Sequence, residues 1–149
     1  VFLSKNIQGM CMLAESGYKF IVISNQAGIS RGMITQEAVD NIHKQMKREL
    51  EKKNINILDI FVCPHHWDED CSCRKPKPGM FFKASKDWLF RLDKTFYIGD
   101  DPRDCQAAYN AGCGSIFIGD QTGVEMLSSE EKPNKIFKSL EDAVPFLLN

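Results

Sequence analysis

Four short apolar runs, separated by longer stretches of helical period, constrain the fold more than any other feature of this chain. Phe20-Ile21-Val22-Ile23-Ser24, Ile57 to Cys63, Thr95-Phe96-Tyr97-Ile98-Gly99 and Ser115-Ile116-Phe117-Ile118 read as strands. The first is apolar at successive positions rather than alternating, which suits a strand buried on both faces of a parallel sheet. Around these runs lie five helical patterns. Lys5 to Glu15 stops at Gly17. Thr35 to Lys53 has Thr35 as N-cap and Glu37 in its first turn. Gly79 to Phe90 follows, then Asp101 to Ala111 closed by Gly112, and last Ser139 to Leu148 with a proline near its middle. The order α-β-α-β-α-β-α-β-α predicts a Rossmann-like three-layer α/β sandwich, a mainly parallel sheet with helices on both faces. Ligands of such sheets sit beyond the carboxyl ends of the strands. Polar residues gather at those ends: Ser24 and Asn25, Cys63, and Asp100.

The 149 residues amount to one domain, expected to span 1–149 with a metal-type loop at 63–75. Apolar residues at 43% and charged residues at 26% support a buried core and exclude a disordered chain. A net charge of -1 gives no global field for gripping a nucleic acid backbone or an anionic membrane. No run approaches the ~20 apolar residues of a membrane span. The opening Val1-Phe2-Leu3-Ser4-Lys5 does not match a signal peptide, so a cytoplasmic setting is expected. No sustained heptad argues for assembly, and a monomer is expected.

Six cysteines are present, at 11, 63, 71, 73, 105 and 113. Three of them fall within eleven residues, beside two histidines. Cys63-Pro64-His65 and Cys71-Ser72-Cys73 place four soft or borderline donors as two pairs, which can close a tetrahedral zinc site. The alternative is plain thiols without a metal. His66 is the weaker ligand candidate, and is about as well suited to facing solvent or a substrate. Cys11, Cys105 and Cys113 read as small buried hydrophobes.

Gly99-Asp100-Asp101-Pro102-Arg103-Asp104 ends a strand and opens a helix. Three carboxylates so close together suit a magnesium ion at Asp100, with Asp101 and Asp104 as further candidates. Helix N-capping by the same residues is the alternative. Ser24-Asn25-Gln26-Ala27-Gly28 offers a hydroxyl and backbone amides that could cradle a phosphate, or could form a simple turn. Arg74-Lys75-Pro76-Lys77 places three cations beside the zinc-type pairs, stiffened by prolines; a solvated basic loop is the plain reading. Arg31 could add one more cation.

Taken in order, the Ser24 to Gly32 run, the loop from Cys63 through Pro76, and Ile98-Gly99-Asp100 through Asp104 resemble motifs of the haloacid dehalogenase superfamily of phosphatases. The zinc loop is similar to that of the branch containing the D-glycero-D-manno-heptose 1,7-bisphosphate and histidinol-phosphate phosphatases. The resemblance spans nearly the whole chain. It implies magnesium-dependent hydrolysis of a phosphate monoester of a small metabolite, in carbohydrate metabolism for a sugar bisphosphate, with histidinol phosphate as the alternative substrate. It implies that Ser24 and the Asn25 backbone contact the transferring phosphate and that Lys75 neutralises its charge. It also implies that Asp100 ligates magnesium, that Arg31 and Arg74 hold the rest of the substrate, and that zinc is structural. The family's nucleophile and acid/base belong to an Asp-x-Asp-Gly motif ending a first strand. Val1 to Lys19 contains no Asp, so this strand is expected to be missing here, leaving unpaired edges and apolar surface. Where the branch commonly has Lys or Arg, this chain has Asp101. A non-catalytic, zinc-stabilised binding module is the rival from another class. A nucleic-acid-binding zinc ribbon is a third reading, poorly served by the pair spacing and the charge balance.

Overall fold

The computed structural model describes residues 4–66 and 68–149; the apolar opening Val1-Phe2-Leu3 and Trp67 lie outside them. Its elements are α1 (Ser4–Glu15), β1 (Phe20–Asn25), α2 (Ala27–Ser30), α3 (Gln36–Glu51) and β2 (Ile57–Cys63), then α4 (Gly79–Trp88), β3 (Phe96–Gly99) and α5 (Pro102–Ala111), and finally β4 (Gly114–Ile118), β5 (Lys135–Phe137) and α6 (Leu140–Leu147). The expected elements are present. The short α2 and β5 are additions, each too brief to show a period in sequence.

Local chemistry sets the ends. The Thr35 hydroxyl accepts from the Ala38 amide and starts α3. The Ser139 hydroxyl accepts from the Asp142 amide at the start of α6, which contains Pro145. Gly112, at φ 81°, ends α5 in the left-handed region that favours glycine. Helix α4 ends two residues before the expected Phe90, because Leu89 itself turns left-handed at φ 53°. That turn returns Phe90 to the cluster around Phe61, Met80 and Ala84, where its carbonyl accepts from Ser85 Oγ at 2.7 Å.

All strand pairs are parallel. Helices cover both faces, as strand β4 illustrates. Its Ile116 packs with Leu13 of α1 and Val144 of α6 on one side. Its neighbour Phe117 packs with Cys105 of α5 on the other. The sheet is nevertheless in two pieces, β1-β2 and β3-β4-β5. Strands β1 and β3 both line one cavity of about 860 Å³, together with apolar side chains of α1, α4 and α6. Among the described residues no strand lies between them, and this is where the expected single sheet is interrupted. Among the described residues no helix is long and apolar enough to cross a membrane.

Candidate active site and metal centre

Register brings two of the sequence motifs side by side. In the β1–β2 pair, Ser24 is opposite Val62 and Asn25 opposite Cys63. Beyond the strands, Gln26 N donates to Cys63 O at 2.7 Å and Ser30 N to Pro64 O at 3.2 Å. The loop after β1 is thus stitched to the loop after β2.

That second loop folds its four donors onto one point. The Cys63, His65, Cys71 and Cys73 ligand atoms all lie within 4.8 Å of one another. His65 Nδ1 is 3.4 Å from Cys63 Sγ and 3.2 Å from Cys73 Sγ, and Cys63 Sγ is 3.8 Å from Cys71 Sγ. A tetrahedral ion with metal–sulfur bonds of about 2.3 Å needs donors at this kind of spacing. The three thiols are not equivalent. Burial pushes Cys73 up to about 12, with hydrogen bonding to Cys63 adding to the shift. Burial also works against ionisation of Cys71, but hydrogen bonds involving the Arg74 and Cys73 backbone outweigh it and bring that thiol down to about 7. Cys71 is therefore the thiol that ionises most readily of these two, and a bound cation would favour ionisation of all three. The four residues fit a soft metal ion in chemistry and in spacing.

The basic residues of the loop divide between two tasks. Arg74 donates to His65 O at 3.4 Å and Lys77 Nζ to Cys71 O at 2.6 Å, so both brace the metal loop. Arg31 reaches the same loop from the other side, touching His66 Nε2. His66 Nδ1 in turn lies 2.5 Å from Asp68 Oδ1. Arg31 and Arg74 therefore belong to the metal-loop side of the rim.

Lys75 turns the other way. Its backbone is gripped by the Asn25 side chain, whose Oδ1 accepts from Lys75 N at 3.1 Å and whose Nδ2 donates to Lys75 O at 3.4 Å. Its ammonium donates to Asp104 Oδ1 at 2.6 Å and to the Tyr97 hydroxyl at 3.0 Å. Burial alone would lower the pKa of Lys75, but Tyr97 and Asp104 beside it hold it above the usual lysine value. Asp104 is 9% exposed at its side chain, so the pair is shielded from solvent. Close approach makes room for it: a Cβ on Gly99 would fall 2.1 Å from Asp104 Oδ2. The Ser24 hydroxyl accepts from Gln26 Nε2 at 3.0 Å, next to the Asn25 clamp.

The three carboxylates of the Gly99–Asp104 run have different lives. Asp101 caps α5 through the Arg103 amide at 2.8 Å and pairs with the Arg103 guanidinium at 3.0 Å. That guanidinium holds the Asp101 carboxyl below the usual carboxylate range. Asp104 completes the capping box by accepting from Asp101 N at 3.2 Å, besides holding Lys75. The capping role allowed by the sequence thus occupies both residues that were candidates for extra magnesium contacts. Asp100 is exposed and makes no hydrogen bond or ion pair among the described residues; it lines the cavity between β1 and β3. It is the carboxylate of the three with oxygens available to a hard cation.

Ser24, Asn25, Lys75 and Asp104 are therefore linked at one rim, with Asp100 beside them, while Arg31 and Arg74 sit with the thiols. Sequence reasoning missed Tyr97 and the clamping side chain of Asn25. The one signal for Tyr97 was a hydroxyl on an otherwise apolar strand.

Known proteins similar to this chain are phosphatases and a histidine biosynthesis protein. The family model described as polynucleotide kinase 3 phosphatase matches residues 1–139. A D-glycero-alpha-D-manno-heptose-1,7-bisphosphate 7-phosphatase of Photorhabdus laumondii is 36% identical over 124 residues, covering 78% of this chain and 68% of that protein. A D-glycero-beta-D-manno-heptose-1,7-bisphosphate 7-phosphatase of the same organism is 32% identical, covering 95% of this chain and 79% of its own length. The histidine biosynthesis bifunctional protein HisB of Campylobacter jejuni is 34% identical over 137 residues, and the match covers 37% of that protein. Among solved structures, D,D-heptose 1,7-bisphosphate phosphatase from B. bronchiseptica, complexed with magnesium and phosphate, superposes with a TM-score of 0.89 at 28% identity, covering 99% of this chain and 84% of the other.

Proposed function

This chain belongs to the polynucleotide kinase 3 phosphatase family, among the haloacid-dehalogenase-like phosphatases, and from that premise we propose that it hydrolyses a phosphate monoester of a sugar bisphosphate of the heptose 1,7-bisphosphate class. The observation that carries the reading is the Lys75 ammonium. It is anchored through its backbone by Asn25 and through its head by Asp104 and Tyr97, at the rim that also holds Ser24 and Asp100.

A phosphate dianion repels an incoming carboxylate, and a fixed cation at the phosphoryl oxygens removes much of that barrier. Lys75 has one N–H left after its bonds to Asp104 and Tyr97. In this reading that donor and the Ser24 hydroxyl hold the phosphoryl oxygens in place. Magnesium, held by Asp100, would supply further neutralisation of phosphate charge. By the family resemblance, the attacking carboxylate would end a strand lying alongside β1 and β3, which line one cavity at this rim. Zinc held by Cys63, His65, Cys71 and Cys73 would keep that loop folded, and with it Arg74 and the Arg31–His66 contact, the cations nearest to hand for the remainder of the substrate. This use of thiols requires a reducing compartment such as the cytoplasm.

The family description names a polynucleotide, whereas the relatives cited act by name on small metabolites or in histidine biosynthesis. A net charge of -1 favours the small substrate. The similarity to HisB makes histidinol phosphate the second reading.

The test is phosphate release by the full natural chain containing this sequence, with magnesium. Heptose 1,7-bisphosphate is expected to be turned over faster than histidinol phosphate. Reversed preference would favour the second reading. No release from either, nor from a 3′-phosphorylated oligonucleotide, would favour the non-catalytic zinc module.

A further inference from the structure

Strand β3 reads Phe96-Tyr97-Ile98-Gly99, and Tyr97 contributes its one side-chain hydroxyl. Burying a hydroxyl where an apolar ring would pack equally well costs stability unless it finds partners. Tyr97 finds two, and they lie on different parts of the rim. Its ring packs edge-on against Phe81, with centroids 4.8 Å apart at 73°, which fixes where the hydroxyl points. The hydroxyl donates its proton to Ile23 O at 3.1 Å, the carbonyl next to Ser24. Its lone pairs are left to accept from Lys75 Nζ at 3.0 Å.

An ammonium has three N–H groups. A lysine held by Asp104 alone keeps a free rotation about that single bond. A second acceptor in a fixed position removes the rotation and leaves one direction for the third N–H. Asp104 already supplies the counter-charge, so the contribution of Tyr97 is geometric. Resting on the phosphatase reading of Lys75, we propose that Tyr97 is a positioning residue: its hydroxyl, aimed by Phe81 and tied to Ile23 O, orients the Lys75 ammonium toward the phosphoryl oxygens beside Ser24.

The decisive variant is Tyr97→Phe in the full natural chain, read by turnover, by calorimetric affinity for inorganic phosphate with magnesium, and by thermal midpoint. Loss of a hydrogen bond to a charged group corresponds to about a tenfold effect or more. The expected result is a fall in kcat of about tenfold with a smaller rise in KM, weaker phosphate binding, only a small drop in thermal midpoint, and retained metal content. Phe81→Leu keeps the hydroxyl but loosens the ring; it is expected to lower the midpoint more than Tyr97→Phe does, and kcat less. Equal behaviour of the two variants would mean that Tyr97 merely packs. Wild-type turnover with unchanged kcat and phosphate affinity in Tyr97→Phe would overturn the positioning role and leave the phosphatase reading standing. Absent wild-type turnover with phosphate binding weakened by Tyr97→Phe would do the reverse, and absence of both turnover and phosphate binding would overturn both.

Discussion

The two halves of the rim are built in opposite ways. The metal loop draws its four donors from a single segment, Cys63 to Cys73, whose ligand atoms converge within 4.8 Å. The Lys75 cluster draws on β1, on the segment after the metal loop, and on β3 with α5. The first is a local device that a cation can fold. The second exists only if the strands stand in their register. Ligand spacing can therefore specify one half by itself, whereas the other is a product of the whole fold.

The largest effect that separates the halves is metal removal. Structural zinc contributes about 10–16 kcal/mol of apparent binding free energy in small zinc domains. Chelation, or Cys71→Ser, is expected to abolish the bound zinc and to raise protease sensitivity first within residues 63–75. Limited proteolysis with zinc analysis reads this, and uniform melting of the whole chain would show that the halves are not separable.

Next comes the buried pair. Asp104→Ala leaves the Lys75 ammonium shielded and without its counter-charge, and breaking such a pair costs about 3–5 kcal/mol. Denaturant unfolding should show that loss while zinc content stays near one per chain. Loss of zinc in this variant would mean that the two halves are energetically one.

Asp100→Asn sharpens the contrast from the other side. The carboxylate is exposed and makes no hydrogen bond among the described residues, so stability should change by less than about 0.5 kcal/mol. Magnesium-dependent turnover of the full natural chain should nevertheless fall by about a hundredfold or more. A large stability loss with activity retained would assign Asp100 a structural task instead.

The smallest effect is the acid response of the α5 cap. The Arg103 guanidinium lowers the pKa of Asp101 in the folded state. A depressed carboxyl contributes stability above its unfolded pKa of about 4, and that stability is lost as pH falls through the lower folded value. The pair is partly exposed, so the contribution is small. Comparing acid unfolding of the wild type with Asp101→Asn should show it as a slight shift, and no shift would mean that the cap, not the ion pair, carries the role of Asp101.

The same division explains what could be read in the sequence. The metal loop was legible because its ligands are near neighbours in a polar segment. Strand and helix order were legible from period, and Thr35 from its capping chemistry. Strand β5 was not, because Lys135-Ile136-Phe137 is too short to carry a pattern. Asp104 could be read as a metal ligand or a cap, and only the approach of Lys75 and its close packing on Gly99 distinguish its task. The Asn25 amide clamping Lys75 spans fifty residues of sequence, and no local spacing announces it. The interruption between β1 and β3 was expected from the family pattern, but the cavity that both strands line required the fold.

The most direct measurement is a crystal structure of the full natural chain with magnesium and phosphate. The phosphate is expected within hydrogen-bond distance of Lys75 Nζ and Ser24 Oγ, with magnesium on Asp100. Phosphate bound away from Lys75, with Asp100 free of metal, would contradict the account.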